Sequence, residues 1–261
     1  MSTNPQAERL PPDAKTVVKR ALILREWLIK GMAPPPPDYL AAGMKQWNET
    51  DQIRFVEKMQ GMYSKRIGIL RQSGLWDELD QNEQGSLNAG PTELSMQAVV
   101  DANWLGETIV CLLWSLGLVA EIPPYDHEVA RHIMKEFPQH PPELPTLRPL
   151  DIIARQRPIA EPWHWRARTR QLQEEGRMPS MLPGGLTLET MLKMTSSKAA
   201  EAGDVEAPID GDFPAFGKPY PDLTEAEFSV AMSIALERHR ALNWLCGYAP
   251  GNRWRETPTA T

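Results

Sequence analysis

Cysteine is scarce in this chain: Cys111 and Cys246 are the only two in 261 residues, and no CxxC spacing is present. A disulfide framework and a cysteine zinc site are thereby excluded, and both thiols read as reduced core residues. Long hydrophobic runs are missing as well. The longest uncharged stretch, Thr108 to Ala120, covers 13 residues, well short of the roughly 20 that a membrane helix needs. There is no basic surplus either, since 28 Lys+Arg stand against 34 Asp+Glu for a net charge of −6. Proteins that grip DNA or an anionic membrane carry the opposite balance, so neither is expected as a partner. The opening MSTNPQAERLPP has no apolar core and no small-residue cleavage site, so the expected compartment is the cytoplasm.

Chemical motifs are as sparse. Gly184-Gly185 and the run from Gly211 to Gly217 match no phosphate-cradling loop, and no GxSxG elbow occurs. His127, His132 and His140 show no HExxH or paired-ligand spacing, so no metal and no cofactor is expected. Also absent are alternating apolar runs, strand-NG-strand signals and internal repeats.

What is present is helical periodicity cut by 25 prolines, each of which fixes φ and removes a donor. The first helix is expected from Pro12 or Asp13 to Gly31, with Val17, Ala21, Leu24 and Leu28 in one line and Val18, Leu22 and Ile29 in the next. The Pro34 to Pro37 run reads as a stiff connector. A second helix should start near Thr50, carry Ile53, Val56, Met59, Tyr63 and Leu70, and stop at Gly74. A helical turn follows Asp80, where Asp80 and Glu83 have capping-box spacing. The most hydrophobic element runs from a cap at Thr92 to about Leu116, with Val100, Trp104, Cys111, Trp114 and Leu118 in one of its stripes, and should be central. Asp126 is expected to cap a short helix. The pattern from Pro149 to Gly176 should break into two pieces at Pro158 and Pro162. Between 178 and 222 little order is expected, at most a helix over 186–194. The last helix opens with Thr224 and Glu227 in capping-box spacing and ends at Gly247. The sum is an all-α fold, an irregular single-domain helical bundle over 12–261. It has a central hydrophobic helix, long proline-rich connectors, a flexible tail at 1–11 and a loosely ordered insertion at 178–222.

Three charges fall inside apolar stripes: Arg25, Glu107 and Arg238. A buried unpaired charge costs several kcal/mol, so these groups are expected to pair, either as a structural ion network or around a pocket in which Glu107 works with His164 or His239. Arg166, Arg168 and Arg170 beside Trp163 and Trp165 read as a solvated helix face, with RNA contact the lesser alternative.

The chain also resembles a known family. ERHRALNWLCGY at 237–248, Trp254 and the terminal RETPTAT, together with KRALILR at 19–25, SGLWDEL at 73–79, LLWSLGLVAEIPP at 112–124 and LRP at 147–149, resemble the bacterial family filed as domain of unknown function 4272. The resemblance runs from about Leu10 to Thr261. It implies no activity, and it places motif residues at Arg25, Glu107, His164, Glu237, Arg238, His239, Asn243, Trp244 and Trp254. The expectation is a bacterial, non-enzymatic factor acting through another protein. The alternative is a small-molecule-binding or hydrolytic enzyme with a polar pocket around Glu107, His164 and His239.

Overall fold

The structure is a computed structural model that describes residues 10–32, 42–90, 93–129, 146–179 and 185–260. It is all-α, with one two-stranded ribbon of minimal length. The chain divides into two compact units, one of Val18–Ile109 and one made of the residues up to Val17 with those from Val110 on.

Local caps mark the helix starts from Asp13 to Ser95. Asp13 accepts the Thr16 amide at 2.7 Å and opens α1, Ala14–Met32, whose apolar lines are buried except at the half-buried Ile29. At Gly31 the helix lies so close to the neighbouring backbone that a Cβ there would come within 2.5 Å of the Ala102 side chain. Asn48 caps α2, Glu49–Gln72, which ends at Gly74 in the left-handed conformation with the Leu75 amide bonded back to Leu70. This is the hydrophobically closed turn that glycine permits. A 3₁₀ turn at Trp76–Glu78 leads to α3, Gln81–Asn88, which carries the complete Asp80/Glu83 capping box. The next helix, α4, spans Met96–Ser115 and is started by Ser95 rather than Thr92, the Ser95 hydroxyl accepting the Ala98 amide; Thr92 lies outside the described residues. Every residue of α4 from Glu107 to Ser115 is buried, as an element apolar on two sides requires.

Within the second unit, α5 spans Leu150–Glu174 as one helix with Pro158 and Pro162 inside it. The expected break does not occur. The two prolines withhold bonds from the carbonyls of residues 154 and 158, both exposed positions, where water can take the place of the missing donor. The buried face of Ile153, Ala160, Trp163 and Ala167 meanwhile packs against the last helix. The region expected to be loose is also corrected over its described part. Thr187 caps α6, Leu188–Glu201, and β1, Pro214–Ala215, pairs with β2, Lys218–Pro219. Phe213 and Tyr220, on either side of this ribbon, are fully buried. Small and acidic residues made the segment look unstructured, but Phe213, Ala215 and Tyr220 are enough to anchor it. Asp126 caps no helix through residue 129: its carboxylate takes the His127 ring and the Phe216 amide instead. The rest of that expected helix, like the Pro34 to Pro37 connector and tail residues 1–9, lies outside the described residues. The last helix, α7, is Glu225–Leu245 with a full Thr224/Glu227 capping box. It stops at Gly247, whose left-handed turn is crossed by the backbone of Leu10 and Pro11.

Among the predicted core positions, Ile53, Val100 and Leu118 are exposed. Each sits in the first turns of a helix or just past its end, where a periodic stripe extends beyond the neighbour that could cover it.

Candidate functional site

The helices α5 and α7 pack along their length, and residues whose positions differ by 75 in sequence meet between them. His164 on α5 and His239 on α7 face each other with Nδ1 atoms 2.9 Å apart and ring planes at 56°. One turn beyond His239, the Asn243 side-chain nitrogen lies 3.0 Å from His239 Nε2 and 2.8 Å from the carbonyl of Pro258. Arg157 Nε donates to Asn243 Oδ1 at 2.8 Å. Three of the residues singled out in the sequence, His164, His239 and Asn243, thus form one buried chain, and the 239/243 spacing is what places two of them on one helix face.

The chain of bonds fixes its own protons. Arginine can only donate, so Asn243 Oδ1 is the acceptor and its NH₂ faces the other way. A main-chain carbonyl can only accept, so one amide hydrogen goes to Pro258 and the other to His239 Nε2. That nitrogen therefore carries the lone pair, and His239 is the Nδ1–H tautomer donating to His164 Nδ1. His164 in turn carries its proton on Nε2. Burial, assisted by the positive charges of Arg168 and Arg240, pushes His164 down to about 4. Burial, assisted by His164 and Arg157, pushes His239 down to about 4 as well. Both imidazoles are neutral at pH 7, which is how two histidines in contact avoid a buried charge.

Of the other sequence candidates, Arg238, Glu237 and Glu107 are buried and Arg25 is half-buried. Arg238 is buried on α7 and donates to the carbonyls of Pro123, Pro124 and His127, the last two at 3.1 and 2.9 Å, with its guanidinium 5.0 Å over the Tyr125 ring. Glu237 is buried and accepts from Arg240 at 2.8 Å. Arg25, in the first unit, donates twice to Glu26 on its own helix, at 3.0 and 2.9 Å. Glu107 is buried within α4. Main-chain carbonyls were partners that side-chain periodicity gave no way to foresee for Arg238.

Several buried polar residues escaped the sequence reading, Glu26, Lys30 and Asp212 among them. Glu26 is buried on a third face of α1, held by Arg25 and by Arg66 at 3.4 Å. One turn on, Lys30 donates to the carbonyls of Ser86, Leu87 and Ala89 at 2.8, 2.6 and 2.7 Å. The Lys30 ammonium thereby closes the C-terminus of α3, where carbonyls lack helical donors. Burial outweighs the nearby Glu93 and lowers Lys30 to about 8. In the second unit, the expected solvated face of α5 is corrected. Arg166 is buried and makes a two-pronged pair with Asp212 at 2.7 and 2.8 Å. Arg170 donates to the carbonyls of Tyr220 and Leu223 and lies 4.4 Å over the Phe228 ring, and Arg168 bonds Gln171. Because Arg166 and Arg170 are committed to the protein's own groups, they do not supply a free basic face. A shallow cleft of about 370 Å³ lies beside this pair, lined by Leu192, Lys193, Asp210, Asp212 and Asp222.

No group of three or more His, Cys, Asp or Glu among the described residues is placed to hold a metal ion. No helix among them is long and apolar enough to cross a membrane. A scan against protein-family models matches none, and searches of curated proteins and of solved structures return no match.

Proposed function

We propose that this chain acts through contacts with another protein, as an accessory factor of bacterial type, and not by turning over a substrate. The observation that carries this reading is the surface of the Val18–Ile109 unit. There Met32, Trp47, Ile53, Met96 and Val100 are between 39% and 52% exposed. The same unit holds a small buried cluster of Met59, Tyr63, Leu94 and Val99, against which Phe55 packs, and Trp47 meets the Phe55 ring edge-on. Large apolar side chains left this exposed are the composition of a contact surface, because covering them with a partner supplies burial they otherwise lack. The resemblance of 237–248 to the family filed as domain of unknown function 4272 supports the bacterial setting.

The bonding of the two histidines favours the same reading. A general base needs a lone pair facing its substrate. The lone pairs of His164 and His239 are already engaged, one by His239 and the other by Asn243.

The test is a pull-down from bacterial lysate with tagged wild type and with Ile53→Glu/Val100→Glu, whose fold is checked by circular dichroism. One stoichiometric protein held by the wild type and lost in the variant is the expected result. Equal retention by both, or none by either, overturns it. A metabolite that raises Tm by several degrees in the same preparation would then favour the small-molecule alternative, since only ligands of the native state do so.

A further inference from the structure

We propose that the His164–His239–Asn243 chain is a proton-counted latch on the C-terminal segment: it bonds Pro258 only while the two imidazoles share two protons, and a third proton releases the segment. This rests on the bond geometry alone and is independent of the partner reading.

The argument is a count of donors. The four ring nitrogens of the pair hold two protons, one on His239 Nδ1 and one on His164 Nε2, and every contact in the chain then has one donor and one acceptor. A third proton on His239 Nε2 sets N–H against the Asn243 N–H. A third proton on His164 Nδ1 sets it against His239 Nδ1–H, and moving that hydrogen to His239 Nε2 returns the conflict to Asn243. Turning the Asn243 amide would resolve it in either case. Arg157 Nε, 2.8 Å from Oδ1, and the Pro258 carbonyl, 2.8 Å from Nδ2, both oppose that turn. Once Asn243 turns to accept from His239, its oxygen no longer serves Arg157 and its nitrogen no longer serves Pro258.

The surroundings add to the sensitivity. Arg157 and Arg168 from α5 and Arg240 from α7 bring positive charge toward the pair, Glu161 and Glu237 answer Arg157 and Arg240, and Tyr248 lies 4.5 Å below Arg157. The segment being held is a folded one. Trp254 packs edge-on against Trp244 at 5.5 Å, Trp244 Nε1 donates to Asn252, and the Thr257 hydroxyl donates to the Trp254 carbonyl at 2.6 Å. Trp244 ties the start of this segment to α7 at Asn252, and Asn243 ties its end at Pro258.

Nitrogen-15 NMR on the full chain tests the latch. At pH 7 the imidazole signals should show His239 as Nδ1–H and His164 as Nε2–H; any other tautomer pair overturns the proposal. On acidification, the backbone amides of Thr257, Thr259 and Ala260 should shift with a midpoint near the pH of about 4 at which the imidazoles titrate, before the amides of α7 move. His239→Gln keeps an acceptor for Asn243 but removes the titration, so its terminal amides should stay in place over the same range. His164→Gln removes one neighbouring imidazole from His239, and its midpoint should move upward by a measurable fraction of a pH unit. Terminal amides that move only together with α7, or a midpoint that neither variant changes, overturn the latch.

Discussion

Lys30 and Arg166 are both cations in the interior, one in each unit, and the protein answers them differently. Lys30 meets three main-chain carbonyls and Arg166 meets a carboxylate through two parallel bonds. Carbonyl dipoles satisfy donors without supplying a full opposite charge, so desolvation wins at Lys30 and pulls its titration down to about 8. A guanidinium cannot shed its proton in the accessible range, so the charge of Arg166 stays and a true anion answers it. Asp212 is that anion, and it also accepts the Phe213 amide at 2.7 Å. The His164–His239 pair is a third solution in the same molecule: both groups are neutral, and no countercharge is needed.

The comparison breaks most visibly at Asp212. Asp212→Ala leaves Arg166 buried without its anion and should destabilise the protein by about 3–5 kcal/mol in urea unfolding. Adding Arg166→Met to that variant should recover most of the loss, because the double change removes the stranded charge as well. A double variant no more stable than the single would mean that packing around Phe213 and Tyr220, and not the charge, carries the effect.

A smaller effect, opposite in character, is expected at Lys30. Its folded titration lies below the unfolded value of 10.5, so between pH 8 and 10.5 the unfolded chain binds more protons and stability rises with pH. The stability of wild type minus that of Lys30→Met should therefore grow by about 2 kcal/mol between pH 8 and pH 10. A constant difference would show that the carbonyl cage holds the ammonium at its ordinary value. The smallest change concerns the far end of the helix that supplies the cage. Asp80→Ala removes half of the capping box of α3 and should lower stability by about 1 kcal/mol, seen as a Tm drop in calorimetry. It should leave the pH dependence of Lys30 unaltered, because the carbonyls of Ser86, Leu87 and Ala89 sit at the opposite end of the helix.

Helix boundaries were legible where a local group marks them. Asp80 with Glu83 and Thr224 with Glu227 announce two starts, and Gly74 and Gly247 two stops, because capping is decided by atoms within four residues. The Pro158 and Pro162 positions were misread for the converse reason. A proline's penalty is local, but whether the helix survives it depends on packing against α7 and on the exposure of two carbonyls. The folded part of 185–222 was missed because its anchors, Phe213, Ala215 and Tyr220, are too few to make a periodic signal and gain their burial against α5. Of the site, the sequence marked His164, His239 and Asn243 and grouped the two histidines around one pocket with Glu107, yet nothing in it gave their direct contact or brought Arg157 and Pro258 to the same amide.

By itself, then, the sequence determined the helical class, most of the capped ends and some of the polar residues on apolar faces, Glu107 and Arg238 among them, since these follow from spacing along one chain. The tertiary structure decided the partners: carbonyls for Lys30 and Arg238, a carboxylate for Arg166, a second imidazole for His164. Hydrogen-bond partners and countercharges come from segments tens of residues away, and their strength depends on a desolvation that exists only once the helices have packed.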